Sequence, residues 1–229
     1  MKVAIVGVGL IGGSAALVLK HMGVASTIIG VESSKSHAAK ALELGLVNEI
    51  LPLQQAVLNS DVIVVAVPVD EALQVLTPIL DEVTTQVVID MGSTKAPIID
   101  AVKNHPRRGR FVAAHPMWGT EFSGPEAATV YAFTGKAAII CNAEQSDADA
   151  LHTATRMLQQ VGMHLVYMDA HAHDLHTAYI SHIAHITSFA LANTVLEKEK
   201  EESAIFELAS AGFESTVRLA KSNPDMWVP

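Results

Sequence analysis

The chain has 229 residues, half of them hydrophobic and 5% aromatic, and a formal net charge of -9 at pH 7. A chain of this length can bury a sizeable core and form one large domain or two smaller ones. The negative charge argues against nucleic acid or an anionic membrane as the main partner, while a few local cations would still suffice for an anionic small substrate. The single cysteine, Cys141, excludes an intrachain disulfide and is typical of a reducing compartment.

An uncharged run over residues 3–19 follows Lys2 and resembles a secretory leader. Its glycines at positions 7, 9, 12 and 13 are better explained by a strand, a tight turn and a buried helix. The run is also slightly short for a membrane span. We therefore expect a soluble, cytoplasmic protein.

Compact apolar runs alternate with helical patterns over the first two thirds of the chain, which is typical of a parallel sheet covered on both faces. The predicted strands are 2–6, 26–31, 49–51, 61–67, 86–90, 110–114, 136–141 and 164–167. The predicted helices between them are 11–21, 36–44, 70–80, 95–104 and 148–161. This order predicts an α/β fold with a Rossmann-type, doubly wound and mostly parallel sheet.

The pattern changes from Asp169 onward, where long helical periodicity over 170–200 and 203–220 replaces the extended apolar runs. We place a dinucleotide-binding domain at 1–168 and an all-helical domain at 169–229. The chain stops at Pro229, soon after Trp227, so an incomplete helical domain is expected.

The segment Gly7-Val8-Gly9-Leu10-Ile11-Gly12 lies between the first predicted strand and the first predicted helix. Gly7 permits a tight turn, Gly9 lets a pyrophosphate approach the backbone, and Gly12 allows close packing of helix on strand. The amides at the helix start, including those of Leu10 and Ile11, then face the pyrophosphate. This pattern predicts dinucleotide binding, with a glycine-rich structural turn as the alternative.

Glu32 ends the second predicted strand about 20 residues after the glycine loop, where the dinucleotide fingerprint places an acid. Such an acid hydrogen-bonds the adenosine ribose hydroxyls and repels a 2′-phosphate, which favours NAD. The following Ser33-Ser34-Lys35 would instead suit that phosphate, so NADP stays open as the less favoured cofactor.

Polar or rigid residues follow two more predicted strands. Pro68 closes the strand 61–67, where its backbone would line the cofactor cleft. Ser93 and Lys95 follow the strand 86–90 and offer a hydroxyl and a cation. Capping of the next helix is the alternative role for Ser93.

His115 directly follows the predicted strand 110–114. In a doubly wound sheet, ligands bind in the crevice beyond the carboxyl ends of the strands, and histidine can exchange a proton near neutral pH. The position predicts a catalytic proton acceptor. A core histidine hydrogen-bonded in a loop is the alternative.

The helical part of the chain is rich in histidine, and His182 and His185 share one helix face. Imidazole suits zinc and nickel, but no nearby cysteine or carboxylate set completes a known metal spacing, so we predict no metal. Arg218 lies in a mostly uncharged segment and is either a surface arginine or a carboxylate clamp.

Together these motifs resemble the prephenate dehydrogenase and arogenate dehydrogenase family of tyrosine biosynthesis. The specific part is the segment from His115 through Gly119-Thr120-Glu121 to Ser123-Gly124. The likeness extends through Ser181-His182-Ile183-Ala184-His185 to Arg218 and Asn223-Pro224-Asp225-Met226-Trp227.

The resemblance implies NAD-dependent oxidative decarboxylation of prephenate to 4-hydroxyphenylpyruvate. The alternatives are an arogenate dehydrogenase, another NAD(P)-dependent dehydrogenase of the same architecture, and a non-catalytic nucleotide-sensing module. By resemblance, His115 takes the proton of the ring hydroxyl as hydride leaves the same carbon, and Ser93 holds the hydroxyl and the nicotinamide in register. The other implied substrate-binding residues are Arg218 for a carboxylate, His185 and Ser181 for the side-chain end, and Thr120, Glu121 and Trp227 at the pocket border.

The chain departs from the family's usual Ser-His-Leu-Pro-His, because Ala184 stands where the family has the proline that bends this helix. The second histidine, His185, is retained, which in the family favours prephenate over arogenate. The family's helical domain usually continues past this point and forms a homodimer, so we expect a dimer through the helical domain.

Overall fold

The computed structural model describes residues 1–200, 202 and 204–222. The chain divides into two compact units. The first contains Met1–Gly119 and Ser123–Asp174, and the second contains Thr120–Phe122 and the chain from Leu175 onward. The first unit therefore continues six residues beyond the boundary at 168 that the sequence pattern suggests.

The first unit is built on an eight-stranded sheet in the order β3-β2-β1-β4-β5-β6-β7-β8. The strands are β1 Lys2–Val6, β2 Thr27–Val31, β3 Glu49–Ile50, β4 Val62–Val65, β5 Val87–Asp90, β6 Phe111–Pro116, β7 Ala137–Cys141 and β8 His164–Met168. All neighbouring pairs are parallel except β6 and β7. The predicted Rossmann-type, mostly parallel sheet is confirmed.

Helices pack on the sheet in the first unit, and further helices form the described part of the second unit from Leu175 onward. They are α1 Leu10–His21, α2 Lys35–Glu43, α3 Leu53–Leu58, α4 Val69–Glu82, α5 Ala96–Val102, α6 Ala148–Gln160, α7 Ala170–Thr177, α8 Ile183–Glu199 and α9 Ala211–Val217. None of the helices in the described part of the chain is long and apolar enough to cross a membrane.

Two apolar cores lie on the two faces of the sheet, and β1 contributes alternate residues to each. Val3 and Ile5 belong to one core, and Ala4 and Val6 belong to the other. Side chains of successive strand residues point to opposite faces, so a strand covered on both faces must be apolar throughout. This explains why the inner strands appear in the sequence as continuous apolar runs.

The order of the sheet determines where a ligand can bind. β2 and β4 lie on either side of β1, so the chain reverses its direction of winding between β1 and β4. In sheets of this kind the crevice at the carboxyl ends of the strands, beside that reversal, is the ligand site. The glycine loop after β1 begins at this point.

β6 is longer than predicted, and this changes the place of His115. The predicted strand ends at Ala114, whereas the observed strand includes His115 and Pro116. The extension is due to antiparallel pairing with β7, which places His115 opposite Ile139. His115 is therefore held by the sheet rather than lying in a loop after it.

The sequence pattern also missed α3 and misjudged the helix at 203–220. α3 has only six residues, too few to show a helical period. The described part of 204–222 contains three short pieces: a 3₁₀ turn at Phe206–Leu208, α9, and a 3₁₀ turn at Arg218–Lys221. By contrast, helical structure extends without a break from Ala170 to Glu199, as predicted, with a π-helical segment at Ala178–His182.

Cys141 ends β7 and is almost completely buried. This burial raises the pKa of its thiol to about 12. Because the thiolate is the reactive form, Cys141 is inert near neutral pH. Its apolar neighbours in the sequence predict this structural role.

Candidate active site

The glycine loop allows no larger residue at two of its positions. Gly7 has a φ of +88°, and a Cβ on it would lie 2.8 Å from the carbonyl oxygen of Ala66. A Cβ on Gly12 would lie 1.9 Å from the carbonyl oxygen of Gly7. A Cβ on Gly9 would meet no protein atom within 4 Å, so the space beside Gly9 is open. This is the space in which the fingerprint places a pyrophosphate, next to the start of α1 at Leu10 and Ile11.

The two glycines therefore predict different outcomes for the same substitution. Gly12→Ala is expected to destabilise the fold by about 1–3 kcal/mol or more, because overpacking forces the backbone apart. Gly9→Ala is expected to leave the melting temperature near wild type and to weaken NAD binding at least tenfold. Thermal unfolding and NAD titration of both variants test this. Full NAD affinity in a folded Gly9→Ala protein would contradict the assignment.

Glu32 lies next to the glycine loop at the end of β2, and its carboxylate is held by two backbone amides. The N–H of Val8 donates to Oε2 at 3.0 Å, and the N–H of Ser34 donates to Oε1 at 2.9 Å. Ser34, which the sequence offered as part of a 2′-phosphate site, caps α2 by accepting a hydrogen bond from the N–H of His37. The acid at this position, Glu32, fits the residue pattern for NAD.

Pro68 lies in the turn between β4 and α4, and its own ring is exposed. Its neighbour Val67 packs over the glycine loop, since a Cβ on Gly7 would lie 2.7 Å from Val67 Cγ1. The turn is thus next to the glycine loop, as its place after β4 predicts.

Lys95 does not offer a cation to a ligand. Its Nζ forms an ion pair with Asp90 and donates to the carbonyl oxygen of Ala114 at 2.9 Å. The side chains of Lys95 and Asp90 are 0% and 1% exposed. The expectation of an accessible cation is therefore wrong, and the pair instead ties the segment that carries Ser93 to the strand that carries His115.

Ser93 is half-buried after β5, and the capping role considered for it is not observed. α5 begins at Ala96 without a side-chain cap from the residues that precede it. Its first amides donate to the carboxylate of Asp174, from Lys95 N–H at 2.7 Å and from Ala96 N–H at 2.8 Å. The hydroxyl of Ser93 is therefore not needed for the helix start.

His115 is half-buried, and its Nδ1 lies 2.9 Å from Nε2 of His173. The two rings meet edge to face at a centroid distance of 5.1 Å. The other ring nitrogen of His173, Nδ1, lies 2.7 Å from Oδ1 of Asp174. Two histidines and a carboxylate thus form a chain of hydrogen bonds that ends at the amides of α5.

The sequence pattern missed His173 and Asp174, apart from counting His173 in a histidine-rich stretch. They lie 58 and 59 residues after His115, and α7 brings them back to β6. No local period or spacing reveals this contact, because it depends on how α7 packs.

The carboxyl of Asp174 is ionised well below neutral pH. Partial burial raises its pKa, but hydrogen bonds from His173 and from the amides of Ala96 and Lys95 outweigh this effect, so the pKa is lowered. A carboxyl whose pKa is lower when folded adds stability above its unfolded pKa, about 3.9. That stability is lost as the pH falls through the folded value.

We therefore expect Asp174→Asn to reduce the free energy of unfolding by about 1–3 kcal/mol at pH 7, the usual effect of leaving buried donors without a charged acceptor. The difference from wild type should shrink as the pH falls below about 4, where the wild-type carboxyl also becomes neutral. Urea unfolding of both proteins between pH 3 and 7 tests this. A difference that does not change with pH would contradict an ionised Asp174.

Two of the predicted substrate-binding residues, Arg218 and Glu121, form an ion pair within the second unit. Arg218 Nη1 lies 2.7 Å from Oε2 of Glu121, and the arginine side chain is 52% exposed. The pKa of Glu121 is lowered by its own backbone N–H and by Arg218, although partial burial opposes this. Arg218 is thus paired with a carboxylate of this chain, and its binding of a substrate carboxylate stays a prediction.

Ser181 and His185 lie at the π-helical segment and in the first turn of α8. Burial lowers the pKa of His185, and the positive charges of His182 and Arg218 lower it further. Its neutral form is therefore favoured near neutral pH. Thr120 is exposed, and its Oγ1 accepts from Phe122 N–H at 3.2 Å.

Trp227 lies outside the described residues. Among the residues that the structure does describe, no group of three or more His, Cys, Asp or Glu side chains could hold a metal ion.

Comparison with known proteins identifies the class and then the family. The family model "Prephenate dehydrogenase, nucleotide-binding domain" matches residues 15–167, and "Prephenate dehydrogenase, dimerization domain" matches residues 169–229. The first match agrees with the dinucleotide-binding class that the sheet order and glycine loop define. The two matches cover most of the chain, which therefore belongs to the prephenate dehydrogenase family.

Individual relatives and solved structures agree with this family assignment. Prephenate dehydrogenase from Bacillus subtilis is 31% identical over 98% of this chain, which spans 62% of that protein's length. The structure of Aquifex aeolicus prephenate dehydrogenase with hydroxyphenyl propionate and NAD+ is 30% identical in sequence, with a TM-score of 0.90. The match covers 99% of this chain and 80% of the Aquifex chain. The structure of Synechocystis arogenate dehydrogenase is 28% identical in sequence, with a TM-score of 0.76. The match covers 99% of this chain and 81% of the Synechocystis chain.

Proposed function

We propose that this chain catalyses the oxidative decarboxylation of prephenate to 4-hydroxyphenylpyruvate, with NAD as the hydride acceptor. The observation that carries the proposal is His115, fixed at the carboxyl end of β6 and hydrogen-bonded through Nδ1 to His173. The B. subtilis and A. aeolicus relatives, both described as prephenate dehydrogenases, support the same reaction.

The cofactor half of the proposal rests on the first unit. The open space at Gly9 and the start of α1 suit a pyrophosphate, and Glu32 suits the ribose hydroxyls. NAD bound there would supply the hydride acceptor for the ring carbon that bears the hydroxyl. The domain division that we propose is 1–168 for nucleotide binding and 169–229 for the helical domain.

The residues of this chain perform the remaining steps. His115 accepts the proton of the ring hydroxyl, and Ser93 holds that hydroxyl in place. Loss of carbon dioxide then makes the ring aromatic, so no second strong base is required. The resemblance assigns Arg218 to a substrate carboxylate, His185 and Ser181 to the side-chain end, and Thr120 and Glu121 to further substrate contacts. The same role for Trp227 falls outside the described residues.

Arogenate is the second candidate substrate, and the likeness to Synechocystis arogenate dehydrogenase favours it. The retained His185 favours prephenate. We also propose a cytoplasmic homodimer that forms through the helical domain. The large exposed apolar side chains of Tyr179, Ile180 and Ile186 support a subunit interface there, as does the description of the matching family model.

A spectrophotometric assay with prephenate and arogenate, each with NAD and with NADP, tests the proposal. We expect the fastest reduction with prephenate and NAD, together with release of 4-hydroxyphenylpyruvate. Preference for arogenate would establish the second candidate. A protein that binds NAD but reduces it with neither substrate would be a nucleotide-sensing module, and the proposal would fail.

Truncation of Arg218 tests the carboxylate site. Arg218→Ala is expected to raise the KM for prephenate at least tenfold with a smaller change in kcat, because a charged hydrogen bond made in both ground and transition states is lost. Lys221→Ala is the matched control, since Lys221 is a cation of the same 3₁₀ turn that pairs with Glu214 at 3.5 Å. Equal KM values for the two variants would rule out the assigned role.

A further inference from the structure

The chain of hydrogen bonds behind His115 has a direction that its chemistry determines. Asp174 accepts from the backbone amides of Lys95 and Ala96 at the start of α5, and an ionised carboxylate can only accept. Its contact with His173 therefore requires a hydrogen on Nδ1 of His173. In the neutral ring of His173, Nε2 then carries the lone pair.

The next contact follows from the first. Nε2 of His173 can only accept, so Nδ1 of His115, 2.9 Å away, must carry the hydrogen. A neutral His115 with a hydrogen on Nδ1 has its lone pair on Nε2. We propose that His173 and Asp174 are positioning residues that hold His115 in the tautomer whose Nε2 is the proton acceptor.

The environment of the three side chains supports a fixed arrangement. His173 is 1% exposed, and its ring lies at 76° to that of His115, so rotation of either ring would break the contact. The nearby Asp90 is already matched by its ion-pair partner Lys95, and burial raises the pKa of this carboxyl although Lys95 opposes the effect. Asp174 is thus the negative charge that is aligned with the histidines and can stabilise the positive charge that forms on His115.

The consequence for catalysis rests on the proposed function. When His115 takes a proton at Nε2, the ring becomes positive, and its Nδ1–H bond to His173 strengthens. An acid that orients a catalytic histidine in this way, as in serine proteases, contributes up to about 10⁴ in kcat through the tautomer alone. Here a histidine lies between the acid and the base, so we expect a smaller effect.

Two substitutions of His173 separate positioning from packing. His173→Leu fills similar space and removes the acceptor, whereas His173→Gln keeps an oxygen that can accept from His115. We expect His173→Leu to lower kcat by about 10- to 100-fold, the usual range for an outer partner of a site residue. KM values for NAD and prephenate should stay within a few-fold, and His173→Gln should recover most of kcat.

The tautomer of His115 can be measured without any turnover. Two-bond ¹H–¹⁵N spectra of histidine-labelled protein distinguish a protonated Nδ1 from a protonated Nε2, and His115→Asn identifies the signals. We expect a protonated Nδ1 on His115 in wild type and in His173→Gln, and a shift toward a protonated Nε2 in His173→Leu. If His173→Leu does not fold, wild type and His173→Gln still decide the question.

The outcomes separate this inference from the proposed function. A wild-type His115 with hydrogen on Nε2 would overturn the positioning role, whatever the enzyme turns over. So would a folded His173→Leu protein with unchanged kcat and tautomer. A wild-type protein that shows the expected tautomer but reduces NAD with neither prephenate nor arogenate would refute the function and leave the tautomer assignment standing.

Discussion

His115→Asn is expected to lower kcat by about 10² to 10⁴, the usual contribution of a positioned base. Asparagine has no ring nitrogen that can take a proton, so the ring hydroxyl must lose its proton to water. NAD binding should be retained, because the glycine loop and Glu32 lie on other strands and keep their contacts. Steady-state kinetics with prephenate and NAD titration measure the two effects separately.

The same substitution at His152 is the matched control for this prediction. His152 lies exposed on α6, away from the hydrogen-bond chain of His115. His152→Asn should therefore leave kcat within about twofold of wild type, since surface substitutions rarely change the fold. Near-normal turnover by His115→Asn would show that His115 is not the base.

Lys95→Met is expected to destabilise the fold by about 3–5 kcal/mol, because it leaves the carboxylate of Asp90 buried without its partner. The side chains of both residues are at most 1% exposed, so water cannot replace the lost charge. The loss also frees the carbonyl oxygen of Ala114, to which Lys95 donates at 2.9 Å. Urea or thermal unfolding measures the change.

An exposed ion pair provides the control for this second prediction. Lys103 and Asp100 lie 3.3 Å apart with side chains 57% and 59% exposed, so Lys103→Met should cost less than about 1 kcal/mol. The double variant Asp90→Leu with Lys95→Met should recover part of the loss, because it removes both buried charges. A Lys95→Met protein as stable as the Lys103→Met protein would contradict the assigned role of the pair.

Local patterns in the chain were enough to predict the Rossmann-type sheet and its glycine loop. β4 and, from Val3 onward, β1 are buried on both faces and so must be apolar there, which is visible without any knowledge of their neighbours. The sharp turn at Gly7 has a positive φ that favours glycine, and this too is a local requirement. Properties that a residue owes to its own segment can be predicted from that segment.

The surroundings of the predicted site residues depended on tertiary structure. β6 extends to His115 and Pro116 because β7 pairs with it, and the sequence of β6 contains no sign of that partner. Lys95 is a buried ion-pair partner rather than an accessible cation because Asp90 and Ala114 O surround it. Contacts of this kind are decided by packing and not by the pattern of nearby residues.

His115 shows both sides of this division. Its place at the end of an apolar strand, before a proline and several glycines, predicted a proton acceptor from the sequence, and that role stays a prediction. The partner that directs its Nδ1 lies 58 residues away on α7, and the carboxylate behind that partner is held by the amides of α5. A hydrogen bond between such distant segments forms only when the helices have packed on the sheet, so the orientation of the base was decided by the tertiary structure.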